Sequence, residues 1–167
     1  MTTELLTIGL SRWTLAIGLL AAFVLTLGGL QSGIANADVG DNEAPDCSKA
    51  TPSIDVIEKN NKKFVPVNLL GVTDPDGDDV TITVFAIRQD EEVGKKSPDG
   101  LGVGTDTAQV RAERDGKGNG RFYHITFEAS DGNGGASICA TLVTVSVPKG
   151  KKTAVDGGPL YDSTKSQ

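Results

Sequence analysis

Residues 121–130 read RFYHITFEAS, and their pattern is the clearest indication of the fold class of the chain. Apolar and polar side chains alternate along it, which is typical of a β-strand with one buried face. We predict that one set of side chains faces a core and that the other set faces outward. The inward set is Tyr123, Ile125, Phe127 and Ala129, and the outward set is His124, Thr126 and Glu128.

The same period of two recurs on both sides of this strand. In residues 79–88 (DVTITVFAIR) it places Val80, Ile82, Val84 and Ala86 on one face. Further strands are predicted at 52–58, 63–72, 107–114 and 136–147. Turns rich in Gly and Asp separate them, and no part of 38–167 shows helical periodicity. Residues 38–148 are therefore predicted to form an all-β domain, a Greek-key, immunoglobulin-like sandwich of about seven strands.

An apolar segment precedes the predicted domain. Residues 13–30 (WTLAIGLLAAFVLTLGGL) carry no charge, follow Arg12 and lead to Ala35-Asn36-Ala37. A charged start, an apolar centre and an A-x-A end are typical of a secretory signal peptide. We predict that residues 1–37 are a signal peptide, which implies a secreted, periplasmic or cell-surface protein. An uncleaved membrane anchor is the alternative, because 18 apolar residues nearly span a bilayer.

Cys47 and Cys139 are the two cysteines of the chain, and both follow the predicted signal peptide. In an oxidising compartment an even pair predicts one disulfide. Closing a loop of roughly 90 residues would contribute about 4–5 kcal/mol in the chain-entropy model. Two free or intermolecular thiols are the alternative.

The composition argues against several functions. The chain has 16 basic and 22 acidic side chains, and this net charge of −6 disfavours nucleic-acid binding. His124 is the one histidine, and no G-x-S-x-G turn accompanies it. The chain after the signal peptide has no tryptophan to stack on a sugar. We therefore expect a protein that is not an enzyme; carboxylate catalysis by Glu113 or Asp115 is the alternative.

Acidic residues concentrate in two predicted turns. The turn between the 63–72 and 79–88 strands contains Asp74, Asp76, Asp78 and Asp79. Asp131 lies in the turn between the last two strands, and in an immunoglobulin-like sandwich these turns meet at one end. Like charges repel there unless a cation joins them, and Ca²⁺ prefers oxygen ligands. The alternative is that Asp and Gly simply make good turns. An EF-hand is excluded, because position 12 counted from Asp74 is Phe85 rather than Glu.

Several segments resemble cadherin repeats. Residues 123–131 (YHITFEASD) resemble the cadherin Y-x-L-x-V-x-A-x-D strand, and residues 73–76 (TDPD) resemble the A-x-D-x-D turn. Residues 38–45 (DVGDNEAP) are similar to the D-x-N-D-N-x-P linker, with one extra residue and Gly40 in place of Asn. Glu58 stands where the glutamate of the cadherin P-E-N motif stands, although Ile57 replaces the proline. Exported bacterial cadherin-like and immunoglobulin-like repeats share these elements.

This resemblance implies a structural Ca²⁺ ion held by Asp74, Asp76 and Asp131, with contributions from Glu58, Asp41 and Asn42. It also implies a role in adhesion or surface recognition, with a surface protein or glycan as partner. The L-D-R-E motif has no clean match, and the predicted signal peptide stands where a preceding repeat would lie. We therefore expect an affinity on the order of 10⁻⁴–10⁻³ M. A metal-independent immunoglobulin-like module that binds through its loops is the alternative.

Residues 149–167 are predicted to be a flexible C-terminal tail. They include Lys149, Lys151, Lys152 and the pair Gly157-Gly158, and Leu160 and Tyr161 are candidates for local docking. The lysine group is short, and such a group is more often solvated than part of a binding patch. We expect no nucleic-acid partner, and membrane contact only if the signal segment is uncleaved.

Overall fold

Nine β-strands make up the regular structure in the residues that the computed structural model describes, 41–145 and 153–166. Their bounds are Thr51–Pro52 (β1), Val56–Ile57 (β2), Phe64–Leu70 (β3), Thr81–Gln89 (β4), Gly100–Leu101 (β5), Thr107–Arg111 (β6), Arg121–Ser130 (β7), Ala136–Val145 (β8) and Tyr161–Asp162 (β9). The predicted all-β class is confirmed. Over these ranges no helix is long and apolar enough to cross a membrane. The predicted signal peptide, 1–37, and the lysines at 149–152 lie outside the described residues.

The strands form two sheets, with strand orders β1-β3-β6-β5 and β2-β8-β7-β4-β9. Apolar side chains from both sheets belong to one buried cluster, an arrangement consistent with a β-sandwich. The inward residues predicted for β7 are all fully buried in this cluster, so that pattern is confirmed. Val67 of β3 and Val110 of β6 are equally buried from the other sheet.

The predicted strand at 52–58 is instead two short strands, β1 and β2, which belong to different sheets. β1 pairs antiparallel with β3, whereas β2 pairs parallel with β8. The backbone N–H of Ser53 donates to the carbonyl of Asn68, and the N–H of Thr144 donates to the carbonyl of Asp55. The chain therefore changes from one sheet to the other within three residues.

A β-bulge changes the face pattern of β4. The pairing with β7 shifts between Val84 and Ala86, and the extra residue, Phe85, is 68% exposed. A bulge inserts one residue, so it reverses the two-residue alternation beyond it. Ile87 and Gln89 are buried as a result, whereas Ala86, predicted to face inward, is only half-buried.

The predicted disulfide between Cys47 and Cys139 is present. It spans 92 positions, with 5.9 Å between the two Cα atoms. Next to Cys47, Asp46 and Thr73 form an antiparallel bridge with backbone hydrogen bonds of 2.7 and 3.2 Å. The segment before β1 is therefore fixed both to β8 and to the connection that follows β3.

The C-terminal residues 153–166 pack against the domain, which differs from the flexible tail predicted for 149–167. Here β9 pairs with the end of β4, and Ser163 is fully buried. His124 Nε2 lies 2.9 Å from Asp156 Oδ1, which attaches the same segment to β7. Tyr161, a predicted candidate for local docking, therefore docks as part of strand β9, which pairs with the edge of β4.

The domain has two ends. At the loop pole, the β3–β4 connection (residues 71–80) meets the β7–β8 connection (residues 131–135). At the opposite end, residues 90–94 after β4 and residues 112–120 between β6 and β7 line a cleft, and we call this end the cleft pole. The ten residues of β7 run from one pole to the other, a distance of about 30 Å.

Candidate metal centre

Three aspartates of the β3–β4 connection bring their carboxylates together at the loop pole. Asp74, Asp76 and Asp78 each offer an oxygen that lies within 4.8 Å of the others. Since Ca²⁺ binds oxygen ligands at about 2.3–2.6 Å, oxygens on opposite sides of one ion are about 5 Å apart. The spacing of this aspartate group therefore fits a single hard cation.

Asp74 organises the loop that carries the group. Its Oδ1 accepts the backbone N–H groups of Asp76 at 2.9 Å and Asp78 at 3.2 Å. Gly77 between them has a φ of +88°, which residues other than glycine rarely adopt. The second oxygen, Asp74 Oδ2, is buried and has no hydrogen-bond partner among the described residues. An unsatisfied buried carboxylate oxygen is costly, and a cation bound by the group would satisfy it.

Neutral N–H donors surround the aspartate group. The backbone N–H of Glu43 donates to Asp76 Oδ2 at 2.7 Å, and Asn133 Nδ2 donates to Asp78 Oδ2 at 2.8 Å. Within 41–145 and 153–166, none of the ion pairs involves a member of the group. These donors orient the carboxylates without neutralising them, so the group keeps its attraction for a cation.

Asp131 lies beside the group rather than within it. It is almost fully buried, and its Oδ1 accepts the backbone N–H groups of Asn133 and Gly135 at 2.7 and 3.0 Å. Its Oδ2 accepts a hydrogen bond from Asn42 Nδ2 at 2.8 Å. The Asn42 hydrogen bond is the main cause that lowers the pKa of Asp131. Asp131 therefore joins the β7–β8 connection to the N-terminal segment.

Gly135 leaves the space in which Asp131 and Asn42 meet. A Cβ atom at this position would overlap Asp131 Oδ2 and come within 2.9 Å of Asn42 Nδ2. Its φ is not positive, so the turn does not require glycine there. The close approach of these two side chains requires it instead.

The remaining predicted ligands are divided between the poles. Asn42 contacts Asp131, through the hydrogen bond described above, rather than the aspartate group. Asp41 is exposed at the start of the described residues. Glu58 directly follows Ile57, whose partner in β8 is Val145, at the cleft pole. Glu58 is therefore about 30 Å along the sheet from Asp131, which is too far for a shared ion. The sheet change within 52–58 separates them, and Asp78 completes the group instead.

No protein-family model and no curated protein matches the chain. Among solved structures it is similar to a nucleoside hydrolase-related hypothetical protein from Saccharophagus degradans that is associated with carbohydrate metabolism, at a TM-score of 0.41 and 16% identity. The match covers 64% of this chain and 26% of that protein, so the chain spans about a quarter of its length. A likeness this distant supports no conclusion about the activity of this chain.

Proposed function

We propose that this protein is a secreted, non-enzymatic Ca²⁺-binding module of the cadherin-like, Greek-key type, and that it acts in adhesion or surface recognition. The observation that carries the proposal is the aspartate group at the loop pole. Its carboxylates lie within 4.8 Å of one another, no cationic side chain pairs with them in the described ranges, and Asp74 Oδ2 lacks a donor.

The chemistry of the group favours Ca²⁺ over other metal ions. All three ligands are carboxylate oxygens, which suit hard cations rather than zinc or copper. Mg²⁺ requires near-ideal octahedral geometry at about 2.0–2.1 Å, whereas Ca²⁺ accepts irregular sites with longer bonds. Asp76 is exposed, so water can complete the coordination, as expected for a weak extracellular site.

The ion would have a structural role. Bound by the group, it would neutralise three neighbouring carboxylates and rigidify the β3–β4 connection. Asp76 also accepts the N–H of Glu43, so the same ion would stabilise the segment that resembles a cadherin linker. An ordered linker and ordered loops would present one surface to a protein or glycan partner.

Thermal unfolding tests this proposal. At about 5 mM Ca²⁺, roughly ten times the expected Kd, mass action adds about 1–2 kcal/mol. We expect a melting temperature several degrees higher than in chelator, and a smaller shift with Mg²⁺. Asp76→Asn should remove the calcium-dependent shift, whereas Asp79→Asn should keep it. Asp79 is a matched control because it is exposed, lies in the same loop and is outside the group.

Each outcome is informative. Equal melting of the wild type in Ca²⁺ and chelator would contradict the calcium proposal and favour the metal-independent immunoglobulin-like module. A calcium shift that survives Asp76→Asn would place the ion outside the aspartate group. Because Asp76 is exposed, the variant should fold in either case.

A further inference from the structure

An acidic cleft of about 520 Å³ lies at the cleft pole, at the other end of β7 from the aspartate group. Among the described residues, five carboxylates and two guanidinium groups line it, from Asp90, Glu91, Glu92, Glu113, Asp115, Arg114 and Arg121. The charge of the lining is therefore negative. A cleft whose lining has a net negative charge attracts positively charged ligands, and low-dielectric walls strengthen this attraction.

Glu91 is half-buried and Glu113 is buried, and each has one buried oxygen without a donor in the described residues. Glu91 Oε2 accepts hydrogen bonds from Arg121 Nε at 3.0 Å and the N–H of Asp115 at 2.8 Å, but Glu91 Oε1 has no partner in the described chain. Glu113 is 9% exposed and pairs with Lys62 Nζ through Oε1 at 3.2 Å, and its Oε2 likewise has no partner there. Since unsatisfied buried oxygens are costly, a cation seated in the cleft would be stabilising.

Gly94 and Gly118 line the cleft directly beside these two carboxylates. Neither has a positive φ, so backbone conformation does not require glycine at either position. A Cβ atom at position 94 would lie 3.3 Å from Glu113 Oε1, and one at position 118 would overlap Glu91 Oε1. The absence of a side chain at both points therefore lets the two carboxylates pack directly against the backbone of the cleft wall.

The lining suits an organic cation better than a metal ion. The described residues of the cleft contain no group of three acidic ligands as close as the aspartates of the loop pole. The volume lies in the usual range for small organic ligands. Tyr161 of β9 also lines the cleft and is 37% exposed, and an aromatic ring attracts guanidinium and ammonium groups.

We propose that this cleft binds an organic cation, a guanidinium or ammonium group of the kind found at the end of an arginine or lysine side chain. The exposed carboxylates Glu92 and Asp115 would attract it, and Tyr161 would stack against it. Glu91 and Glu113 would supply the negative potential behind them. This binding is independent of Ca²⁺, because the two sites lie at opposite poles.

The proposal is tested by titrating the full protein, in the form that the cell produces, with N-acetyl-arginine methylamide. The measured quantity is the change in the backbone amide chemical shifts. We expect saturable shifts at Gly94 and Gly118 with a Kd on the order of 1 mM, and weaker binding at higher salt. Glu92→Gln should weaken binding about twofold to fivefold. Glu113→Gln should weaken it about tenfold, because its carboxylate is buried. Glu128→Gln is the matched control on the exposed face of β7 and should bind normally.

A second titration with putrescine distinguishes the source of the cation. Binding of the arginine derivative alone supports a basic side chain of a partner, and equal binding of putrescine supports a free amine. Absence of saturable shifts with both probes overturns the proposal, and so do equal losses in Glu92→Gln and Glu128→Gln. Calcium chloride that reproduces the same shifts overturns it in favour of a metal site. If Glu113→Gln fails to fold, the Glu92 and Glu128 variants still decide.

Discussion

The loop pole and the cleft pole each gather several carboxylates, and they differ in what surrounds those carboxylates. At the loop pole, the aspartate group and Asp131 accept hydrogen bonds from neutral N–H groups. At the cleft pole, Asp99 is fully buried, with Arg111 Nε at 3.1 Å and Arg121 Nη1 at 2.7 Å. Basic side chains therefore neutralise buried acids at one end and not at the other, as far as the structure describes them.

At the cleft pole, Tyr123 and Arg121 extend the ion pairs of Asp99 into a buried hydrogen-bond network. Tyr123 Oη donates to the carbonyl of Arg111 at 2.8 Å and accepts from Arg121 Nη1 at 3.2 Å. Burial raises the pKa of Tyr123, which keeps the hydroxyl protonated as a donor. Burial by itself lowers the pKa of Arg121, but Tyr123, Asp99 and Glu91 outweigh it and the net pKa is raised. The ion pairs of Asp99 with Arg111 and Arg121 stabilise the fold, whereas the aspartate group of the loop pole has no basic partner in the described residues.

Removal of the disulfide should have the largest effect, and it acts near the loop pole. The double variant Cys47→Ala/Cys139→Ala should lose about 4–5 kcal/mol of unfolding free energy, because the bond closes a loop of 92 positions. Urea unfolding of the oxidised wild type and of the variant measures the loss. The reduced wild type is the control and should resemble the variant. A loss below about 1 kcal/mol would contradict the entropic account of this bond.

Arg121→Met should have the next largest effect, and it acts at the cleft pole. It removes one partner of buried Asp99 and one of Glu91, so we expect a loss of about 3–5 kcal/mol. The loss should be the same with and without Ca²⁺ in urea unfolding. Lys165→Met is the control, since Lys165 is exposed, and it should change stability by about 1 kcal/mol or less. Recovery of the Arg121 variant by Ca²⁺ would show that the two poles are coupled.

Asn42→Ala should have the smallest effect, and its effect should depend on pH. The Asn42 hydrogen bond lowers the pKa of Asp131 below its ordinary 3.8. A carboxyl whose pKa falls on folding stabilises the protein above its unfolded pKa, and this stability is lost as pH falls through the folded pKa. The wild type should therefore lose more stability than the variant below about pH 4.

Thermal unfolding in chelator, from about pH 6 down to about pH 2.5, measures this difference. The pKa values of Asp46 and Asp162 are also lowered on folding, by hydrogen bonds to Ser48 and Thr164. Their contribution is common to both proteins and cancels in the comparison. Equal acid-induced losses in wild type and variant would show that Asn42 does not control Asp131.

The features that the sequence predicted correctly either are local or follow from the even number of cysteines. The alternation in β7 identified its buried face, because a strand turns successive side chains to opposite sides whatever surrounds it. The even cysteine count predicted the pair Cys47–Cys139. The two Asp-rich turns do meet at one end, as shown by the hydrogen bond between Asn133 and Asp78.

The features that the sequence predicted poorly depend on which strands pair and in which register. The bulge at Phe85 reversed the inward pattern of β4, and only pairing with β7 reveals it. The sheet change after β1 carried Glu58 to the cleft pole, although the cadherin resemblance assigned it to the calcium ligands. A period of two fixes which side chains share a face, but it cannot tell which strand lies alongside.

Local patterns in the amino-acid sequence are enough to predict that this chain is all-β, that its cysteines pair and that its aspartates lie in turns. Which acids acquire basic partners depends on how the strands pack in three dimensions. Asp99 and Arg121 are 22 positions apart, and they meet because β5 and β7 both begin at the cleft pole, where β4 ends. Asp74, Asp76 and Asp78 are close in sequence, and their loop folds them together without an ion pair to any cationic side chain in the described residues. Local patterns depend on neighbouring residues, whereas charge compensation depends on strands that are distant in the sequence.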